Sequence, residues 1–150
     1  MRIAIASDHA GFDLKASIIK EFAKEHEFID LGTDNPKNSV DYPDFANKVC
    51  ENIIKNKADF GILICGSGIG ISIAANRFSK IRAALCCNQK TATLSRQHNN
   101  ANVLCLGARI LRKDNALKMV KTFLTTNFEG NLEKGVRHLQ RVEKLTQNGS

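Results

Sequence analysis

Residues 60–70 read Phe60-Gly-Ile-Leu-Ile-Cys65-Gly66-Ser67-Gly68-Ile69-Gly70. The first six form a short, near-continuous apolar run with two β-branched isoleucines. Such a run marks a central strand covered on both faces rather than an alternating edge strand. The three glycines that follow free the backbone for a tight turn, and a helix-like stretch runs from Gly70 to about Phe78. Strand-like and helix-like stretches alternate along the rest of the chain, without an internal repeat. Strand-like runs fall at Ile3–Ala6, Glu27–Leu31, Arg82–Cys87 and Asn102–Leu106. Between them lie helical patterns at Asp13–Lys24 (apolar at Phe12, Ala16, Ile19 and Ala23), Val40 onward with Pro43 in the first turn, and Lys90–His98. A long helix capped near Asp114 buries Leu117, Val120 and Leu124. Five strands alternating with helices predict an α/β fold: a three-layer α/β/α sandwich around a five-stranded parallel sheet, Rossmann-like in type.

At 150 residues the chain suits one domain, 1–150, with a more polar C-terminal arm over about 131–150. Within that arm His138, Leu139, Val142 and Leu145 fit one further helix, placed to pack on a neighbouring subunit. No run approaches the roughly 18 apolar residues of a membrane span. The opening MRIAIASDHAG turns polar too soon for a signal peptide, so a cytoplasmic protein is expected. The cysteines number five, an odd count without a secretion signal, which reads as reduced thiols rather than a disulfide framework. No CxxC pair occurs and the histidines are scattered, so no metal site is expected. The net charge of +7 suits an anionic small molecule. A nucleic-acid surface is disfavoured, since the basic residues are spread out and no aromatic residues interleave with them.

In a parallel α/β sheet, ligands bind beyond the carboxyl ends of the strands. That rule gathers Ser7-Asp8-His9-Ala10-Gly11, Cys65–Gly70, Cys86-Cys87-Asn88 and Gly107-Ala108-Arg109 at one end. The glycine loop presents N–H groups to an anion. It lacks the glycine at position 71 that a dinucleotide fingerprint needs and the Lys of a Walker A loop. Cys65 ends the central strand beside those amides, an environment that favours a thiolate. Cys86, Cys87 and Cys105 read instead as inert small hydrophobes. Asp8 and His9 either face the same ligand or, for Asp8, cap the following helix. His98, at the end of Ser95-Arg96-Gln97-His98-Asn99-Asn100, is a helix-ending residue or an acid–base group. Arg137 and Arg141 lie on one helix face, suited to a phosphate or to solvent.

The segments SDHAGFDLK, DYPDFA, GILICGSGIGISIAANR, LSRQHNNANVLCLGAR and RHLQRVEKL together resemble the type B ribose-5-phosphate isomerases and the related galactose-6-phosphate isomerases. The resemblance covers nearly the whole chain. It implies interconversion of ribose 5-phosphate and ribulose 5-phosphate through a cis-enediolate, in the non-oxidative pentose phosphate pathway, with no metal or organic cofactor. It implies Cys65 as the base, since Ala74 and Ala75 stand where a Glu is used in other members. Ser67 and the amides of Gly66, Gly68, Ile69 and Gly70 would stabilise the enediolate. Asp8 would move protons between the sugar oxygens, His98 would open the ring and Asn99 would contact the enediolate. His9, Arg137 and Arg141 would hold the phosphate, with Arg109 nearby and Tyr42 beside the sugar. It further implies a homodimer with shared sites, His98 and Asn99 coming from the neighbour, with a dimer of dimers as a larger form. The alternatives are an isomerase of allose or galactose 6-phosphate, and a non-catalytic phosphate-binding module on the same scaffold.

Overall fold

The computed structural model describes residues 1–147. Five strands, β1 (Arg2–Ser7), β2 (Glu27–Asp30), β3 (Phe60–Cys65), β4 (Ala83–Leu85) and β5 (Val103–Gly107), form one sheet in the order β2-β1-β3-β5-β4. Every pairing is parallel. Six helices surround it: α1 (Phe12–Phe22), α2 (Tyr42–Ile54), α3 (Ile69–Ala75), α4 (Gln89–Gln97), α5 (Lys113–Thr125) and α6 (Val136–Gln147). The expected three-layer sandwich is what forms, with β3 at the middle of the sheet.

The two layers follow from the period of two along each strand. Ile3, Ile5, Ile62, Ile64, Leu104 and Leu106 face one side, where they pack with Leu14, Ile18 and Phe22 of α1, Ala92 of α4, and Ala116, Met119 and Phe123 of α5. Ala4, Ala6, Leu63, Cys65, Val103 and Cys105 face the other, against Phe45 and Val49 of α2 and Ile71 and Ala75 of α3. Leftward crossovers (β1 to β2, β4 to β5) use the first face and rightward ones (β2 to β3, β3 to β4) the second, as one hand of connection requires. The chain therefore leaves β1 in one direction and β3 in the other. Their carboxyl ends flank the point where the topology switches, which opens a crevice.

Three boundaries and two buried faces differ from the sequence expectation. In α1 the buried face is Leu14, Lys15, Ile18 and Phe22, while Ala16 and Ala23 are exposed. Both registers have helical spacing, and the one that buries the larger side chains removes more apolar area from water. The strand at Arg82–Cys87 shortens to Ala83–Leu85 at the sheet edge, leaving Cys87 exposed rather than in the core. The last long helix starts at Lys113 with Arg112 in the cap position, so Asp114 lies in the first turn, 3.4 Å from Arg112. Leu117 is only half-buried there, and Met119 and Phe123 take core places. The helix after the glycine loop ends at Ala75 rather than Phe78.

The C-terminal arm contains α6 as expected. His138 and Val142 of this helix are buried within the chain, and Leu132, Val136 and Leu145 are exposed. Residues 148–150, the end of the expected arm, lie outside the described residues. No helix among the described residues is long and apolar enough to cross a membrane.

Candidate active site

At the topological switch lies a cleft of about 570 Å³ lined by Asp8, Tyr42, Cys65, Gly66, Ser67, Ile69, Gly70, Arg109 and Ile110. All but Ile110 are positions expected from sequence. The Cys65 side chain is buried at the strand end, and its Sγ accepts a hydrogen bond from the Gly68 N–H at 3.2 Å. Gly68 has a φ of 78°, the left-handed region that favours glycine. A Cβ there would also sit 2.9 Å from the Leu106 carbonyl carbon. The loop is tied to the tip of β5, where Ala108 and Arg109 donate backbone hydrogen bonds to the carbonyls of Cys65 and Gly66 at 2.9 Å each. That tie carries the Arg109 side chain over Gly66.

The glycine loop is partly engaged with itself. The Ile69 N–H donates to Ser67 Oγ at 3.2 Å, and the Gly68 N–H is used on sulfur. With α3 only seven residues long, individual amides rather than a long helix dipole supply the positive potential. Gly70 permits a close approach of Tyr42, whose Cζ would lie 2.5 Å from an added Cβ.

Asp8 is a cap, as one of its sequence readings had it. Its Oδ1 accepts from the N–H groups of Ala10 at 3.0 Å and Gly11 at 3.3 Å, capping a short 3-10 turn, and it borders the cleft. The next residue, His9, accepts the Val40 N–H on Nδ1 at 3.2 Å. That bond leaves Nε2 as the protonated nitrogen of the neutral ring. Burial pushes the Cys50 thiol up to about 12, raises that of Cys86 and lifts that of Cys105 well above the ordinary thiol range. Exposed Cys87 is a correction to its reading as a core hydrophobe.

The remaining expected residues gather elsewhere. Helix α4 starts at the Asn88 cap, near the tip of β4, and runs back toward the start of β5. The turn that carries His98 and Asn99 thus leads into Val103, whereas Cys65 pairs with Gly107 at the far end of β5. Four residue steps along β5 separate those levels by about 13 Å. The turn is held firmly by buried Arg96, which donates to Asn100 Oδ1 at 2.9 Å and to the Ala101 carbonyl, and lies over the rings of Phe60 and Phe123. Asn100 takes a φ of 46°, which closes the turn.

Beside this turn, the His138 ring stacks on His98 at 4.1 Å and 8°. Glu129 Oε2 lies 3.9 Å from His98 Nε2. Arg137 and Arg141 flank His138 on the exposed face of α6. The donor atoms of His98, Glu129 and His138 come within 4.8 Å of one another. Parallel stacked rings, however, aim their nitrogen lone pairs side by side rather than at one point, a poor arrangement for a single metal ion. Within one chain the expected residues therefore fall into two groups: Asp8, His9, Tyr42, Cys65–Gly70 and Arg109 at one end, and His98, Asn99, Arg137 and Arg141 at the other.

Sequence reasoning had assigned no role to Glu129 or to His138 as a partner of His98. His138 lies within the RHLQR segment, but its stacking depends on where α6 lands. Burial, then the charges of His98, Arg137 and Arg141, hold His138 below the ordinary imidazole value of 6.5, opposed by Glu129. A group whose folded value is depressed in this way takes up a proton on unfolding. Stability is therefore complete above pH 6.5 and falls as the pH drops through the folded value. We expect the urea midpoint of the wild type to decline more steeply between pH 7 and 5 than that of His138→Gln. Equal slopes would remove His138 from the acid sensitivity.

A model of the Ribose/Galactose Isomerase family matches residues 3–145. The chain belongs to that family. Among curated relatives, a putative sugar phosphate isomerase of Rickettsia bellii is 49% identical over 144 residues, covering 95% of this chain and 96% of the relative. Among solved structures, the ribose-5-phosphate isomerase B of Clostridium thermocellum superposes with a TM-score of 0.93 at 47% identity, covering 99% of this chain and 97% of that one. The ribose-5-phosphate isomerase B of Mycoplasma genitalium, solved with bound ribulose-5-phosphate, gives 0.91 at 44% identity, covering 98% and 95%.

Proposed function

We propose that this chain interconverts D-ribose 5-phosphate and D-ribulose 5-phosphate in the cytoplasm, without a cofactor. The observation that carries the reading is the cleft itself. A buried thiol at the tip of the central strand faces the same space as a carboxylate and a glycine loop, in a family whose Mycoplasma member holds ribulose 5-phosphate.

Cys65, as the thiolate, takes the proton from C2 of the open-chain aldose. The C2–H electron pair forms the C1=C2 bond, and the carbonyl pair moves onto O1, giving the cis-enediolate. Loss of the O2 proton then forms the C2 carbonyl, and the Cys65 thiol returns its proton to C1. Asp8 carries the proton between O2 and O1. Amides of Gly66, Ser67 and Gly70, which border the cleft, stabilise the developing oxyanion. The Gly68 amide instead supports the sulfur and the Ile69 amide holds Ser67 Oγ.

Ring opening and phosphate binding need the second group of residues, so the working unit is a homodimer. His98 of a second copy opens the furanose and its Asn99 meets the enediolate. Its Arg137 and Arg141 join His9 and Arg109 around the phosphate. Support comes from the apolar rim of the cleft, where Ile69 and Ile110 are both more than half exposed. Beside them a second, apolar hollow of about 440 Å³ is lined by Tyr42, Pro43, Ile73 and Phe78. A surface of this kind marks a contact between chains.

The substrate choice is tested by steady-state turnover of ribose 5-phosphate and allose 6-phosphate with EDTA present. We expect kcat/KM at least about tenfold higher for the five-carbon sugar, each 1.4 kcal/mol of differential binding being a factor of ten. A preference for the six-carbon sugar would overturn the assignment.

A further inference from the structure

Lys15 lies inside the buried face of α1, in line with Leu14, Ile18 and Phe22, and is 3% exposed. A charge in such a place costs desolvation that a Met or Leu would avoid. Its Nζ donates to both carboxylate oxygens of Asp30, at 2.6 and 2.7 Å. No step of the mechanism uses either residue.

Their contacts lead to the site. Asp30 Oδ1 also accepts the Gly32 N–H at 3.0 Å, so the ion pair fixes the start of the segment that joins β2 to α2. The following residues are bonded reciprocally to the end of β1. Ser7 N–H donates to the Gly32 carbonyl at 2.6 Å, and Thr33 N–H donates to the Ser7 carbonyl at 2.7 Å. Ser7 directly precedes Asp8 and His9. The same segment ends at Val40, whose N–H donates to His9 Nδ1. The ion pair and Val40 border one cavity of about 710 Å³, together with Thr33, Asp34 and Lys48.

We propose that the Lys15–Asp30 pair is a positioning element for His9. It sets the path of residues 31–40 so that the Val40 amide holds the imidazole in one tautomer, with Nε2–H directed away from the segment. Neither Lys15 nor Asp30 lines the cleft; each acts through His9. The effect on substrate rests on the reading that His9 binds phosphate, whereas the tautomer does not.

The test is Lys15→Met. Asp30 is 45% exposed, so the change leaves a carboxylate that water can solvate rather than a stranded buried charge. Nitrogen-15 spectra of histidine-labelled protein, with His9 assigned by its loss in His9→Asn, read the ring directly. In the wild type at high pH, His9 should show one tautomer with Nδ1 unprotonated. In Lys15→Met it should become a mixture, with KM for ribose 5-phosphate raised about threefold to tenfold and kcat within about twofold, as for a loosened supporting shell. Lys15→Arg should restore both readouts. Val40→Pro removes the donor itself and should reproduce the tautomer mixture even if Lys15→Met does not fold. A single wild-type tautomer in the folded variants would overturn the proposal. If His9→Asn leaves KM unchanged, the phosphate role of His9 falls instead, and the tautomer still decides the positioning claim.

Discussion

Replacing Cys65 with Ala is expected to lower kcat by about 10³-fold or more, since a positioned acid–base group contributes roughly 10²–10⁴ and no second base replaces it. KM should stay within about threefold, because phosphate binding lies elsewhere and most of it is uniform binding. Folding should survive. The side chain is 4% exposed but small, and Ala keeps the Cβ that packs beside Ile71. The control is Cys105→Ala, one residue type at a fully buried place in the next strand, which should leave kcat nearly unchanged after correction for folded fraction. A Cys65→Ala protein with wild-type turnover would remove the thiol from the chemistry.

The second large effect concerns the division of the site between two chains. His98→Asn should lose activity strongly on cyclic ribose 5-phosphate, and far less on an open-chain analogue that needs no ring opening. If His98 serves the neighbour's Cys65, two inactive proteins should then complement each other. Random mixing of Cys65→Ala and His98→Asn subunits makes heterodimers half of the population. Each has one site with both lesions and one intact, so about a quarter of wild-type activity should return in a twofold-symmetric assembly. The mixture should be unfolded together and refolded, with the separate variants treated in parallel. If both residues served one site within a chain, no intact site would form and activity would stay at the level of the parents. Restoration therefore reads the shared architecture directly, and its absence contradicts it.

The parts of this molecule that were legible in the sequence are those set by short-range periodicity. Phe60–Cys65 announced a central strand because every residue is apolar and the run is too short for a helix. The glycine loop announced a crevice because parallel topology puts all such loops at one end. What escaped the sequence was decided by competition between surfaces. In α1, Ala16 and Ile19 have the right spacing, yet Leu14, Ile18 and Phe22 take the core and bring Lys15 in with them. Cys86 and Cys87 look alike as neighbours, but the strand ends before them and only Cys86 is buried. His98 and Cys65 both sit in recognisable segments. Their separation to opposite ends of β5 follows from the direction of α4, which the motif alone does not carry. The partnership of His98 with His138 and Glu129 joins three separate elements, and no local pattern encodes it.

In this mechanism the Cys65 sulfur carries the proton between C2 and C1. Ribose 5-phosphate incubated with the protein in D2O and followed by proton NMR tests it most directly, because the protonated thiol exchanges with solvent while the enediolate is bound. The wild type should place deuterium at C2 of the aldose and C1 of the ketose, and Cys65→Ala should leave both positions protonated over the same period. Deuterium entering at the wild-type rate in Cys65→Ala would contradict the account.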